Sequence, residues 1–140
     1  MSALIGRRSG NRGMCAQPCR MQYSLGGRMD DYPMSLKDNC LVDRLRELED
    51  AGVACLKIEG RMKRPEYTAI VTKIYSKALK EHRQPSDEEM ETLEKAFSRQ
   101  GFTQGYFNGD KKDMFGRREE PDKDTEKLFT LARKGYSEGE

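Results

Sequence analysis

The patterning of this chain predicts an α/β fold, and three observations predict it. A short, largely apolar run from Val53 to Ile58 follows Gly52 and reads as a buried strand. Pro65 opens a segment in which Tyr67, Ile70, Val71, Ile74, Tyr75, Ala78 and Leu79 recur at helical spacing, an apolar face that needs another element to cover it. The signals around these two alternate as strand, helix, strand, helix, helix, the order expected where helices pack on a few short strands.

Taken in order, residues 1–30 read as loop and turn, with Gly26-Gly27 as a breaker. Tyr32-Pro33-Met34 is a candidate short strand, confined by Pro33 to a strand start or an edge. Ser35-Leu36-Lys37-Asp38 has the form of a capping box. It predicts a helix to about Ala51, with Leu41, Leu45 and Leu48 on one face and Gly52 as terminator. In the strand that follows, Lys57 and Glu59 are two apart and share a face. At the carboxyl end of a strand in a parallel barrel such a pair marks a site, or else an ion pair at the barrel mouth.

The Pro65 helix is expected to end near His82, the one histidine of the chain. Between Glu81 and Arg83 at a helix end, that imidazole suits the helix dipole better than catalysis. Ser86-Asp87-Glu88-Glu89 is a second capping box, opening a shorter helix with Met90, Leu93, Ala96 and Phe97 as its stripe. Gly101 and Gly105 bracket an aromatic loop whose Phe102, Tyr106 and Phe107 rings are expected to pack on the helices. Residues 110–140 alternate charges of both signs and read as a charged linker or loosely ordered tail, with a helical patch at Leu128, Phe129 and Leu131.

A chain of 140 residues with 35% hydrophobic and 36% charged content fits one domain with a small core. Its net charge of +2 is nearly neutral, but residues 1–29 hold Arg7, Arg8, Arg12, Arg20 and Arg28 without an acid, which suits an anionic partner. The first residues carry too short an apolar run for a signal peptide, and no run is long enough to span a membrane. A soluble cytoplasmic protein is expected, whose four cysteines are reduced thiols or metal ligands.

The densest chemistry lies in Arg7-Arg8-Ser9-Gly10-Asn11-Arg12-Gly13-Met14-Cys15-Ala16-Gln17-Pro18-Cys19-Arg20. Arginines beside thiols favour the thiolate, the nucleophilic and metal-binding form. Gly10 and Gly13 allow close backbone approach to an anion, with Arg8, Asn11, Arg12 and Arg20 as candidate anion-binding side chains. Pro18 disfavours helical geometry at Gln17, so the segment reads as a rigid loop carrying two thiols.

This motif closely resembles the central motif of peptidase family U32, the collagenase-like proteases. A second match is Gly52-Val53-Ala54-Cys55-Leu56-Lys57-Ile58-Glu59-Gly60-Arg61-Met62-Lys63-Arg64-Pro65-Glu66-Tyr67, and a third is Phe97-Ser98-Arg99-Gln100-Gly101-Phe102-Thr103-Gln104-Gly105-Tyr106. Together they cover residues 1–109 in the family's order. The resemblance implies that residues 1–109 are the C-terminal portion of a partial, barrel-like (TIM-type) catalytic domain. It also implies that the chain is truncated upstream, with a missing N-terminal half or a second chain completing the barrel.

The implied function is a collagenase-like peptidase acting on a peptide substrate, an incomplete one. The alternatives are iron–sulfur-dependent, oxygen-independent hydroxylation of RNA bases or of a quinone precursor, as in some relatives, and a catalytically inactive fragment or RNA-binding module. The candidate catalytic side chains are Lys57, Glu59 and Arg61. Cys15 and Cys40 stand where the resemblance implies cluster ligands, with Cys19 and Cys55 as substitutes. The gaps between the four fit no zinc ribbon and no close ferredoxin-like run. The resemblance places two further ligands upstream of this chain's start, and so implies a ligand set that is incomplete within this chain. Cys40 and Cys55 read equally well as buried apolar residues.

Overall fold

The apolar stripe that begins after Pro65 makes the longest helix, α3 (Pro65–Glu81), and the core is built against it. The computed structural model describes residues 2–60, 63–97, 101–112, 114–115 and 124–137. Arg64 enters α3 in an extended conformation, Pro65 takes the first helical position, and His82 ends the helix in the left-handed region at φ 49°. Ile70, Val71, Ile74 and Ala78 are buried along one face. Burial of each of the larger three stabilises the fold by on the order of 1.5–3 kcal/mol.

Two further helices cover that face, and all three pack on one another: α4 (Asp87–Phe97) and α6 (Asp124–Ser137). Helix α4 begins in a complete capping box. The Ser86 Oγ accepts the Glu89 N–H at 3.2 Å, and Glu89 Oε2 accepts the Ser86 N–H at 2.9 Å. Leu93 and Ala96 of α4 and Phe129 of α6 are buried in the shared core.

The strands are few and short. An antiparallel hairpin joins β1 (Tyr23–Leu25) to β2 (Arg28–Asp31), and its turn is Gly26-Gly27, where φ is +61° and +83°, a region costly to any residue with a Cβ. A parallel pair joins β3 (Asp38–Asn39) to β4 (Phe102–Thr103), with Asp38 opposite Phe102 and Asn39 opposite Thr103. Short helices complete the fold: α1 (Ser2–Gly6), α2 (Leu45–Asp50) and α5 (Gly105–Asn108). The structure is mixed helix and strand, and helix dominates.

Several expectations are corrected here. The helix expected from Ser35 to Ala51 is only α2 at its end, preceded by a 3-10 turn over Val42–Arg44. The reason is competition for the backbone. Lys37, Asp38 and Cys40 donate their N–H groups to the carbonyls of Met114, Gly101 and Thr103, and Arg20 occupies the Ser35 hydroxyl that was to cap the helix. Tyr32-Pro33-Met34 forms a turn closed by Ser35 N–H on Tyr32 O at 2.9 Å. Residues 53–58 belong to no strand: the run is loop, with Val53, Ala54 and Cys55 exposed.

Residues 1–30 hold α1 and the hairpin as well as loop. In the expected tail, residues 124–137 form α6, which docks through Phe129 at 5% exposure. Of the aromatic loop, Phe102 packs against the core, Phe107 lies under the Arg44 guanidinium at 5.8 Å, and Tyr106 is exposed.

Candidate functional site

A cavity of about 450 Å³ opens beside the β3–β4 pair. Several parts of the chain bring their side chains to it. The N-terminal loop brings Gln17 and Arg20, β3 brings Asp38 and Asn39 and leads into Cys40, the loop after α2 brings Leu56 to Glu59, and α3 brings Tyr67, Val71 and Tyr75. Leu41, Leu48 of α2, Lys63, Leu93 of α4 and Phe102 complete the wall. The lining is thus aromatic and aliphatic in its interior residues, with Arg20, Lys57 and Lys63 as cations and Asp38 and Glu59 as carboxylates.

Local structure explains how these groups are held. Pro18 opens a 3-10 turn, Pro18–Arg20, and Gln17 before it sits in the left-handed region at φ 51°, outside the right-handed helical geometry that a following proline disfavours. Arg20 is clamped by that turn against the next segment, donating from Nη1 to Ser35 Oγ at 2.8 Å and to Leu36 O at 2.7 Å. The Lys63 ammonium stands 5.7 Å from the centre of the Tyr67 ring. Lys57 Nζ and Glu59 Oε1 form an ion pair at 2.7 Å, both well exposed, so the ion-pair reading of that spacing describes them and neither faces the core.

Cys40, itself buried, and Tyr75 form a polar contact in the wall. Their Sγ and hydroxyl are 3.6 Å apart, and the same hydroxyl accepts the Leu41 N–H at 3.1 Å. Burial pushes the Cys40 thiol up from its ordinary value, and it raises both the Tyr75 and Tyr67 phenols, with negative neighbours adding to each. Cys40 is therefore a protonated, weakly nucleophilic thiol near neutral pH.

Of the anticipated site residues, the structure brings Arg20, Cys40, Lys57 and Glu59 to one cavity. Arg8, Asn11 and Arg12 are exposed on the N-terminal loop and do not line it. Arg61 lies outside the described residues. Cys15 Sγ accepts the Gln17 N–H at 3.3 Å, while Cys19 and Cys55 are exposed.

An iron–sulfur cluster requires thiolates converging on one centre. Among the described residues no three His, Cys, Asp or Glu side chains are grouped to hold a metal. His82 stands apart at the end of α3, its Nδ1 3.8 Å from Glu49 Oε2 and largely exposed.

Sequence reasoning missed Tyr67, Tyr75, Lys63 and Asp38 as site residues. The helical period of the sequence assigns the two tyrosines to the apolar face of α3. Their hydroxyls were the available signal, because a buried phenol needs a partner and so points to a polar opening in the core.

The cavity and the three ordered motifs all fall within residues 1–115, which match the family model for Peptidase family U32. The chain belongs to this family. It is 39% identical over 113 residues to a collagenase from Porphyromonas gingivalis, covering 72% of this chain and 31% of that protein. It is 44% identical over 78 residues to the 23S rRNA 5-hydroxycytidine C2501 synthase of Escherichia coli strain K12, covering 51% of this chain and 12% of the synthase. With tRNA hydroxylation protein P1 of Bacillus subtilis strain 168 it shares 36% identity over 84 residues, 51% of this chain and 20% of that protein. The chain thus spans less than a third of the length of each of these U32 relatives. No solved structure matches it. Among the described residues no helix is long and apolar enough to cross a membrane.

Proposed function

We propose that this chain is the nucleobase-binding portion of an RNA-hydroxylation protein. The observation that carries the reading is the composition of the cavity wall: Tyr67, Tyr75 and Phe102 beside Arg20, Lys57 and Lys63. Aromatic faces take up an unstacked base whatever its sequence context, and cations at the rim take the phosphates on either side of it. The volume is that of a small-molecule site. Two of the relatives above are named for hydroxylation of rRNA and tRNA.

Hydroxylation with oxygen at the level of water replaces C–H by C–O–H and releases two protons and two electrons. In this reading the described residues bind and orient the base, and the oxygen source and the two-electron acceptor are supplied from outside them.

The collagenase-like relative supports a second reading, peptide hydrolysis. That chemistry calls for a thiolate beside a base, or a metal-bound water. The cavity instead presents a thiol kept protonated by burial, with a phenol as its neighbour, and so favours the nucleobase reading.

Fluorescence anisotropy with a labelled single-stranded RNA, titrated over a range of salt, tests the proposal. Three rim cations predict a log–log salt slope of about −2, at roughly −0.7 per neutralised phosphate. Absence of binding at low salt, together with gelatin cleavage that Cys40→Ser abolishes, would overturn it in favour of the peptidase.

A further inference from the structure

Helix α6 lies beyond the residues that match the family model, yet it grips the residues beside the cavity. We propose that α6 positions the basic and aromatic wall of the cavity, and that Arg133 does so through Glu66. The inference deepens the nucleobase reading and rests on it for its binding arm alone.

Glu66 is the second residue of α3 and is buried at 6% exposure. A carboxylate removed from water needs cationic and hydrogen-bonding partners. Arg133 of α6 donates from Nε to Glu66 Oε1, and Arg64 Nε stands 3.6 Å from Oε2. Arg64 is itself held from α6, by an ion pair with Glu126 and by the Phe129 ring 4.6 Å below its guanidinium. The hydroxyl of Thr125 anchors the start of α6 on Lys95 O of α4 at 2.9 Å.

The chain at this point serves two neighbours in turn. Arg64 and Glu66 face α6, while Lys63 and Tyr67, their outer neighbours in sequence, line the cavity. Backbone bonds make the stretch stiff: Lys63 N–H to Gly60 O at 2.9 Å and Tyr67 N–H to Arg64 O at 3.1 Å. A shift of Arg64 or Glu66 therefore moves Lys63 and Tyr67. Without Arg133, the one guanidinium of Arg64 must serve both Glu66 and Glu126, and the start of α3 loses its fixed position. Arg133 is thus a positioning residue that need not touch the ligand.

The test uses the full chain and the variants Arg133→Ala, Arg133→Lys and Glu66→Gln, read by amide hydrogen exchange and by anisotropy with single-stranded RNA. The expected result is faster exchange over residues 57–67 in Arg133→Ala and Glu66→Gln, with residues 38–45 unchanged, and a several-fold loss of RNA affinity in both. Arg133→Lys keeps the charge but not the planar fork and falls between.

Glu66→Gln separates positioning from direct contact, because it keeps the arginine and removes a negative charge. If Arg133→Ala weakens binding while Glu66→Gln holds or strengthens it, Arg133 touches phosphate itself and the inference fails. Faster exchange confined to residues 124–137 also overturns it. A parent chain that binds no RNA sinks the nucleobase reading, and the exchange pattern alone then decides the role of α6.

Discussion

The Tyr75 hydroxyl accepts the Leu41 N–H at 3.1 Å and lies 3.6 Å from the Cys40 sulfur, so one phenol in the middle of α3 ties down the chain as it leaves β3. Tyr75→Phe strands the Leu41 N–H without this acceptor, and a buried donor left unsatisfied costs about 1–3 kcal/mol. Urea denaturation of the variant checks the loss. The same contact sits in a burial that raises the thiol pKa. Iodoacetamide near neutral pH should therefore alkylate the exposed Cys19 and Cys55 well before Cys40, and equal labelling rates in a peptide map would refute the protonated-thiol account.

Acid should unlock the start of α4. Arg83 donates from both terminal nitrogens to Glu89 at 2.7 Å, and with the Ser86 N–H it brings the Glu89 carboxyl from its ordinary 4.5 down to about 2. A carboxylate with a depressed folded pKa contributes stability above its unfolded value and loses it as pH falls through the folded one. The contribution is whole above about pH 4.5 and vanishes toward pH 2. Glu89→Gln should flatten that limb of the stability–pH curve. Ser86→Ala, which removes the cap without touching the carboxylate, should cost about 1 kcal/mol across the whole range.

Gly105 is buried where α5 meets the segment returning to β3. A Cβ there would stand 2.4 Å from the Asp110 carbonyl oxygen and 2.5 Å from Met114 Cγ. The methionine has rotamers to move through, but the carbonyl is backbone. Gly105→Ala should destabilise by about 1–3 kcal/mol, in the manner of an overpacked core, visible as a lower urea midpoint with unchanged slope.

Within the nucleobase reading, Tyr67→Ala removes a stacking face and should cost about 1–3 kcal/mol of RNA affinity. Lys63→Ala should reduce the magnitude of the salt slope by about 0.7, the share of one phosphate on a single strand. Tyr106, exposed and outside the cavity lining, is the control. If Tyr106→Ala weakens binding as much as Tyr67→Ala, the RNA lies elsewhere on the chain.

Where a signal is local, the sequence was enough. Pro65 before a 3.6-residue apolar period, and Ser86 three residues before Glu89, place the starts of α3 and α4, because caps and amphipathic stripes act within one or two turns. The three motifs likewise identify the family without any structure.

Tertiary contact decided the rest. Ser35 to Asp38 has the form of a helix start, but its backbone donors are taken by Met114 and Gly101 and its cap hydroxyl by Arg20, partners remote in the chain whose bonds override a local preference. Val53 to Ile58 has the composition of a strand, yet a strand requires a neighbour to exchange hydrogen bonds with, and β3 pairs with β4 instead. Composition and spacing thus settle where Lys57, Cys40 and Tyr67 stand along the chain. Only the packing of α3, β3 and the N-terminal loop around one cavity brings them to the same wall.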